Sequence, residues 1–259
     1  MHRTPGTFGW VDLLTTDVAA AKQFYATLFG WTYEDLPTPI GVDYTMCYVD
    51  GGMVCGIAPQ PPAMAAAGAP PEWNSYVLVE DADAAARAAE SAGGSVLMPA
   101  IDVMDSGRMV MVAGPDGAAV GAWQSYEHHG AEVFDGAGTL AWNELQSRDL
   151  DASRAFLASV FDWTWERQPG VMEYWVAHSS TSTDGVAGAM NMPDGLPPET
   201  PSTWVVYFTV DDCDAGARHV EELGGQLFLP PMDMGPGRFA GATDPSGAAF
   251  FFGSFPDPA

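Results

Sequence analysis

Positive charge is scarce in this chain. Nine Lys and Arg residues stand against 34 Asp and Glu, a formal net charge of −25. Nucleic acid and anionic lipid are gripped through Lys and Arg contacts to phosphate, so this balance argues against both as partners. Long apolar runs are also missing. No stretch approaches the roughly 20 residues a membrane helix needs, and the N-terminus lacks the basic-then-apolar layout of a signal peptide. The three cysteines, Cys47, Cys55 and Cys213, show no metal-binding spacing, which reads as reduced core or near-core thiols of a cytoplasmic protein. No phosphate loop is present, because Gly51-Gly52 and Gly93-Gly94 are not followed by Lys-Ser/Thr. There is no Gly-x-Ser-x-Gly elbow, and no cysteine pairs with a histidine. What the chain does have is apolar mass: 47% of its 259 residues are hydrophobic, enough for two ordinary domains and too much for disorder.

The chain also has an internal repeat. Trp10, Asp12, Asp17, Phe24, Phe29 and Trp31 return as Trp142, Glu144, Asp149, Phe156, Phe161 and Trp163, each 132 positions on (142 − 10). Gly93-Gly94 recurs at Gly224-Gly225, Gly107-Arg108 at Gly237-Arg238, and Pro115-Asp116-Gly117 as Pro245-Ser246-Gly247. Self-similarity on this scale means two copies of one domain. Six of the nine basic residues fall into repeat-equivalent pairs (Lys22 and Arg154, Arg87 and Arg218, Arg108 and Arg238), so positive charge is tied to fixed places.

Each half divides again. Residues 8–16 alternate as a strand, Asp17 offers an N-cap, and an apolar-striped helix ends near Gly30. Short strands follow around Tyr33, at 44–49 and at 53–58; the Pro/Ala/Gly stretch 59–72 closes the unit. The same order restarts at Asn74, with Asp81 or Asp83 opening the helix, Gly93-Gly94 stopping it, and a Pro-Asp-Gly turn joining the last two strands. The spacing therefore predicts an α+β fold of four tandem βαβββ modules. Each domain is a curled mixed sheet forming a cup, with its helices outside. The expected boundaries are 1–126 for the first domain, 127–138 for a linker and 139–259 for the second. Alternation puts Val11, Leu13, Val77, Val79, Leu145, Val206, Phe208 and Val210 on the helix side. The opposite face mixes aromatics with polar groups: Trp10, Asp12, Asn74, Tyr76, Trp142, Glu144 and Tyr207.

With this layout, the strand-Asp-helix starts at Asp17, Asp81, Asp149 and Asp212 and the repeated Pro-x-Gly turns, the chain resembles the vicinal oxygen chelate superfamily. That superfamily includes glyoxalase I, extradiol dioxygenases and bleomycin-resistance proteins. Its metal enzymes place a His seven residues before the helix-capping Asp and a Glu on the last strand of a module. The resemblance maps the His positions onto Trp10, Asn74, Trp142 and Val205. It maps the Glu positions onto Gly121 and Phe251, with Gly56 and Gly188 in the other two modules. None of the eight is a metal ligand type. No metal and no other cofactor is therefore expected.

The residues leave several roles open. Asp12 and Glu144 are equivalent carboxylates on the cup face, either hydrogen-bonded and structural or available as a general base or cation receptor. Trp10 and Trp142 are stacking platforms or plugs. Arg108 and Arg238 either fix a hairpin or fork a ligand carboxylate. Asn74, Tyr76 and Tyr207 complete the candidate ligand face. Of the five histidines only His178 lies in an expected strand; His2 is terminal, His128 and His129 fall in the linker, and His219 is on a helix. Asn74 against Val205 and Gly121 against Phe251 make the first cup the more polar and roomier one. The leading expectation is a metal-free small-molecule binding protein of the bleomycin-resistance type, taking a cationic or aromatic ligand. The alternatives are a glyoxalase-like lyase or isomerase or a dioxygenase-type enzyme with non-standard residues, and a regulatory protein with plugged cups.

Overall fold

The computed structural model describes residues 3–255 apart from 135, 171 and 236, which leaves His2 outside the described residues. The first module runs β1 (Phe8–Thr15), α1 (Val18–Phe29), β2 (Thr32–Pro37), β3 (Asp43–Val49) and β4 (Gly52–Pro59). A short α2 (Pro62–Ala66) lies in the Pro/Ala/Gly stretch. The second module runs β5 (Glu72–Leu78), α3 (Ala82–Ser91), β6 (Ser95–Val103), β7 (Gly107–Ala113) and β8 (Ala119–Ser125). The third comprises β9 (Leu140–Ser147), α4 (Leu150–Phe161), β10 (Thr164–Gln168), β11 (Tyr174–His178) and β12 (Gly185–Asn191). The fourth comprises β13 (Thr203–Thr209), α5 (Cys213–Glu222), β14 (Gln226–Met234), β15 (Gly237–Thr243) and β16 (Ala249–Ser254). The strands form two open eight-stranded sheets, ordered β2-β3-β4-β1-β5-β8-β7-β6 and β10-β11-β12-β9-β13-β16-β15-β14. The α+β class and the fourfold βαβββ order follow the sequence reading.

The four Asp positions act as helix caps for a physical reason. The side chains of Asp17, Asp81, Asp149 and Asp212 accept from the backbone N–H of Ala20, Ala84, Ala152 and Ala215 at 2.9, 2.8, 3.1 and 3.0 Å. Each satisfies a donor the helix would otherwise leave open, worth about 1 kcal/mol.

Packing groups the modules differently from the sheets. One compact unit comprises residues 1–10, 74–130 and 142–205, the second and third modules; the other comprises 11–73, 131–141 and 206–259, the first and fourth. In the first unit Val77, Val110, Val112 and Val120 share a core with Leu145, Phe156, Leu157, Phe161 and Trp163. In the second unit Val11, Leu13, Phe24, Tyr25 and Phe29 share a core with Val206, Phe208, Phe250 and Phe252. Each fully buried side chain of this size contributes about 1.5–3 kcal/mol. The segment 127–138 is no free tether. His128 N donates to Ser106 O at 2.9 Å, Glu132 N to Met53 O at 2.8 Å, and Gly138 N to Thr209 O at 2.7 Å. Gly130 is required where it stands, since a Cβ there would lie 2.4 Å from Gly9 O.

A polar chain runs through the second unit's aromatic core. Trp73 Nε1 donates to Tyr25 Oη at 3.2 Å, and Tyr25 Oη donates to Asp244 Oδ2 at 3.2 Å. Asp244, 2% exposed, also accepts through Oδ1 from Ser246 N at 2.8 Å, Ser246 Oγ at 2.7 Å and Ala248 N at 3.0 Å. Burial, and then the Asp244 charge, push the Tyr25 phenol well above its usual range, so it stays a donor. Asp244→Ala strands these donors out of water. We expect a loss of about 3 kcal/mol, seen as a fall of roughly 6–12 °C in the melting temperature. A melt within a degree or two of the parent would contradict this role.

Candidate functional site

The site is set by strand register. In the first module β1 and β4 run parallel with Asp12 opposite Gly56, and in the third β9 and β12 place Glu144 opposite Gly188. The second module puts Tyr76 opposite Gly121, and the fourth puts Tyr207 opposite Phe251. The resemblance maps a carboxylate position of the metal enzymes onto each of these partners.

The three glycines at those positions are seats for tyrosine rings. A Cβ on Gly56 would lie 2.0 Å from Tyr44 Oη, and one on Gly188 would lie 2.0 Å from Tyr174 Oη and 2.6 Å from Trp142 Nε1. A Cβ on Gly121 would lie 2.1 Å from the Tyr76 ring, so the smaller residue at 121 does not open space. In the fourth module Phe251 stacks on Tyr207 at 4.7 Å and 22°.

Seating the tyrosines brings phenols onto the two candidate carboxylates. Tyr44 Oη donates to Asp12 Oδ2 at 3.2 Å. Trp142 Nε1 donates to Tyr174 Oη at 2.9 Å, Tyr174 hydrogen-bonds Glu144, and Gln146 Nε2 donates to Glu144 Oε1 at 3.3 Å. Asp12 is 7% exposed and Glu144 6%. Burial first, and the Glu144 charge second, raise the Tyr174 phenol, with the Trp142 N–H opposing in part. Tyr174 is therefore a neutral donor across the physiological range. A second, exposed pair of carboxylates lies beside other ring side chains: Tyr48 Oη donates to Glu34 Oε2 at 3.0 Å, and His178 Nε2 lies 3.3 Å from Glu166 Oε2.

The remaining candidates fall elsewhere. Trp10 is 5% exposed and meets His128 edge-on at 4.5 Å, which favours the plug over an open platform. Trp142 is half-buried, with its N–H committed to Tyr174. Asn74 sits on β5 two residues before Tyr76. The two arginines are turned to their own modules. Arg108 Nε and Nη2 donate to Asp83 at 2.8 and 3.1 Å and Nη1 to Asp102 at 3.0 Å. Arg238 repeats this with Asp214, at 2.7 and 2.9 Å, and with Asp233 at 3.1 Å. Each guanidinium ties the hairpin to the first turn of a helix, and this geometry supports the structural role over the ligand fork. Sequence reasoning passed over Tyr44, Tyr174, Glu34, Glu166 and the His128 contact with Trp10.

The eight positions the family's metal enzymes use hold indole, amide, phenyl and isopropyl groups or glycine, and three of the glycines lie under tyrosine rings. Among the described residues, no three His, Cys, Asp or Glu side chains form a group that could hold a metal. The residues present do not fit a divalent ion.

A family model described as the Glyoxalase/Bleomycin resistance protein/Dioxygenase superfamily matches residues 7–121 and 139–252. The chain belongs to this superfamily. It is 44% identical over 249 residues to CFP32 of Mycobacterium tuberculosis, provisionally named a glyoxylase, covering 95% of this chain and 93% of that one. It is 36% identical to the anthracycline biosynthesis protein DauV of Streptomyces sp. strain C5, with 95% and 92% covered. Two solved structures share the fold. They are a Mn(II)-bound glyoxalase from Novosphingobium aromaticivorans (TM-score 0.66, 16% identity, 98% and 83% covered) and the 2,3-dioxygenase LapB from Pseudomonas (TM-score 0.66, 14% identity, 100% and 96% covered).

Gly188→Ala should force Tyr174 Oη and Trp142 Nε1 off the strand, costing about 1–3 kcal/mol. Denaturant unfolding and near-ultraviolet circular dichroism read the change. An unaltered aromatic spectrum with unchanged stability would show that the glycine is no seat.

Proposed function

We propose that this chain binds a small aromatic molecule carrying a positive charge, and does so without a divalent ion. One observation carries the reading. Phenol-held carboxylates recur in both halves, Asp12 with Tyr44 over Gly56 and Glu144 with Tyr174 over Gly188, beside the strand positions where the metal enzymes grip an ion. A buried carboxylate held in place by a phenol suits a ligand ammonium or hydroxyl, because charge-assisted hydrogen bonds are the stronger ones. The net charge of −25 enriches cations near the surface. The relation to a protein named for anthracycline biosynthesis supports an aromatic ligand and supplies a probe, since an anthracycline is a planar ring system bearing an amino sugar.

A second reading is favoured by the burial of both carboxylates and by the glyoxylase name of a relative. Asp12 or Glu144 would then serve as a general base in a lyase- or isomerase-type reaction, with its phenol partner fixing the carboxylate. The two readings differ in what Asp12→Asn and Glu144→Gln remove: affinity in the first, turnover in the second.

The test uses chain dialysed against a chelator. An anthracycline should raise its melting temperature, added Zn, Ni, Fe or Mn should not increase the effect, and elemental analysis should find substoichiometric metal. Either carboxylate variant should weaken binding by about tenfold or more, as expected for a lost charge-assisted bond. Near one metal per chain, with binding lost on its removal, would overturn the proposal.

A further inference from the structure

Two thiols face each other inside the first module. Cys47 on β3 and Cys55 on β4 are direct register partners in an antiparallel pair, and both are 0% exposed. Opposed residues in an antiparallel ladder have Cα atoms about 4.5–5.5 Å apart, inside the roughly 4.4–6.8 Å span that a disulfide bridges. Cys213 has no such neighbour; its sulfur lies 4.0 Å from Phe252 O.

The repeat shows that packing alone does not call for this pair. The equivalent register partners in the third module are Ala177 and Ala187, also 0% exposed, with the same ladder irregularity just after residue 177 as after residue 47. Two methyl groups fill that place in one copy of the domain. The other copy carries a thiol on both strands at once.

We propose that Cys47 and Cys55 are a modification site that closes to an intramolecular disulfide when the chain meets a hydroperoxide. One thiolate attacks a peroxide oxygen, the O–O bond breaks, and a sulfenic acid forms as the alkoxide or hydroxide leaves and is protonated. The second thiol attacks that sulfur, the S–S bond forms, and water departs; two electrons pass from the sulfurs to the peroxide. Burial, and then the Cys47 sulfur beside it, hold the Cys55 thiol well above its ordinary range, so reaction proceeds through brief openings of the β3–β4 pair. Because side chains alternate along a strand, the bridge would lie on the face opposite Gly56, stapling the two strands that carry Tyr44 and its glycine seat.

The full reduced chain, incubated with hydrogen peroxide in native buffer, acid-quenched and alkylated after unfolding, tests this by mass spectrometry. The expected product has lost two hydrogen atoms and is alkylated at Cys213 alone. Chymotryptic cleavage after Tyr48 should leave two peptides joined until a reductant is added. Cys47→Ala, which copies Ala177, should fold and never lose the two hydrogens. Recovery of Cys47 and Cys55 both alkylated, under exposure that converts every thiol of the unfolded chain, would overturn the proposal. So would their separate conversion to sulfinic acids, or a bridge to Cys213.

Discussion

A parallel ladder fixes residue 12 beside residue 56 and residue 144 beside residue 188, and the proposed function depends on that register. Because the second member of each pair lacks a Cβ, a tyrosine from the neighbouring strand can lie across it and reach the carboxylate. A side chain of any size at 56 or 188 would collide with the phenol. The space that a side chain at 56 or 188 would fill is occupied by a ring, and the neighbouring carboxylate is held by its hydroxyl. The arrangement spans three strands, and it appears in both halves.

The rest of the molecule holds these ladders in place from behind. Each leading strand turns its alternate residues, such as Val11 and Leu13 or Leu145, into a core shared with a module from the other half. The first and fourth modules close one core and the second and third close the other, while the sheets join the modules in sequence order. Buried polar groups then lock individual turns to individual strands. Ser147 Oγ donates to Asp116 at 2.7 Å in one unit, and Thr15 Oγ donates to Ser246 Oγ at 3.1 Å in the other.

Much of this was legible in the sequence, because strand alternation and Asp-capped helices are local signals. The helix-side residues and the four caps could be read without coordinates. The tyrosines were hidden by a shift in repeat spacing. Tyr44 and Tyr174 are 130 apart (174 − 44), whereas Asp12 and Glu144 are 132 apart (144 − 12), because the β10–β11 hairpin is one ladder pair shorter than the β2–β3 hairpin. By the same shift His178 has Tyr48 as its equivalent (178 − 48 = 130), and the two lie beside the matching carboxylates Glu166 and Glu34. Gly121 looked like room because a missing side chain in a sequence does not reveal which ring covers it. The pairing of modules in the cores could not be read at all, since a hydrophobic stripe says that a helix is buried and not against which partner.

The most direct measurement is Mn(II) titration followed by paramagnetic broadening of the tyrosine ring resonances. If phenols hold the carboxylates in place of an ion, Tyr44 and Tyr174 should show only weak broadening that rises with bulk metal and never saturates. Selective, saturable loss of either resonance at one equivalent of Mn(II) would place a metal beside Asp12 or Glu144 and contradict the account.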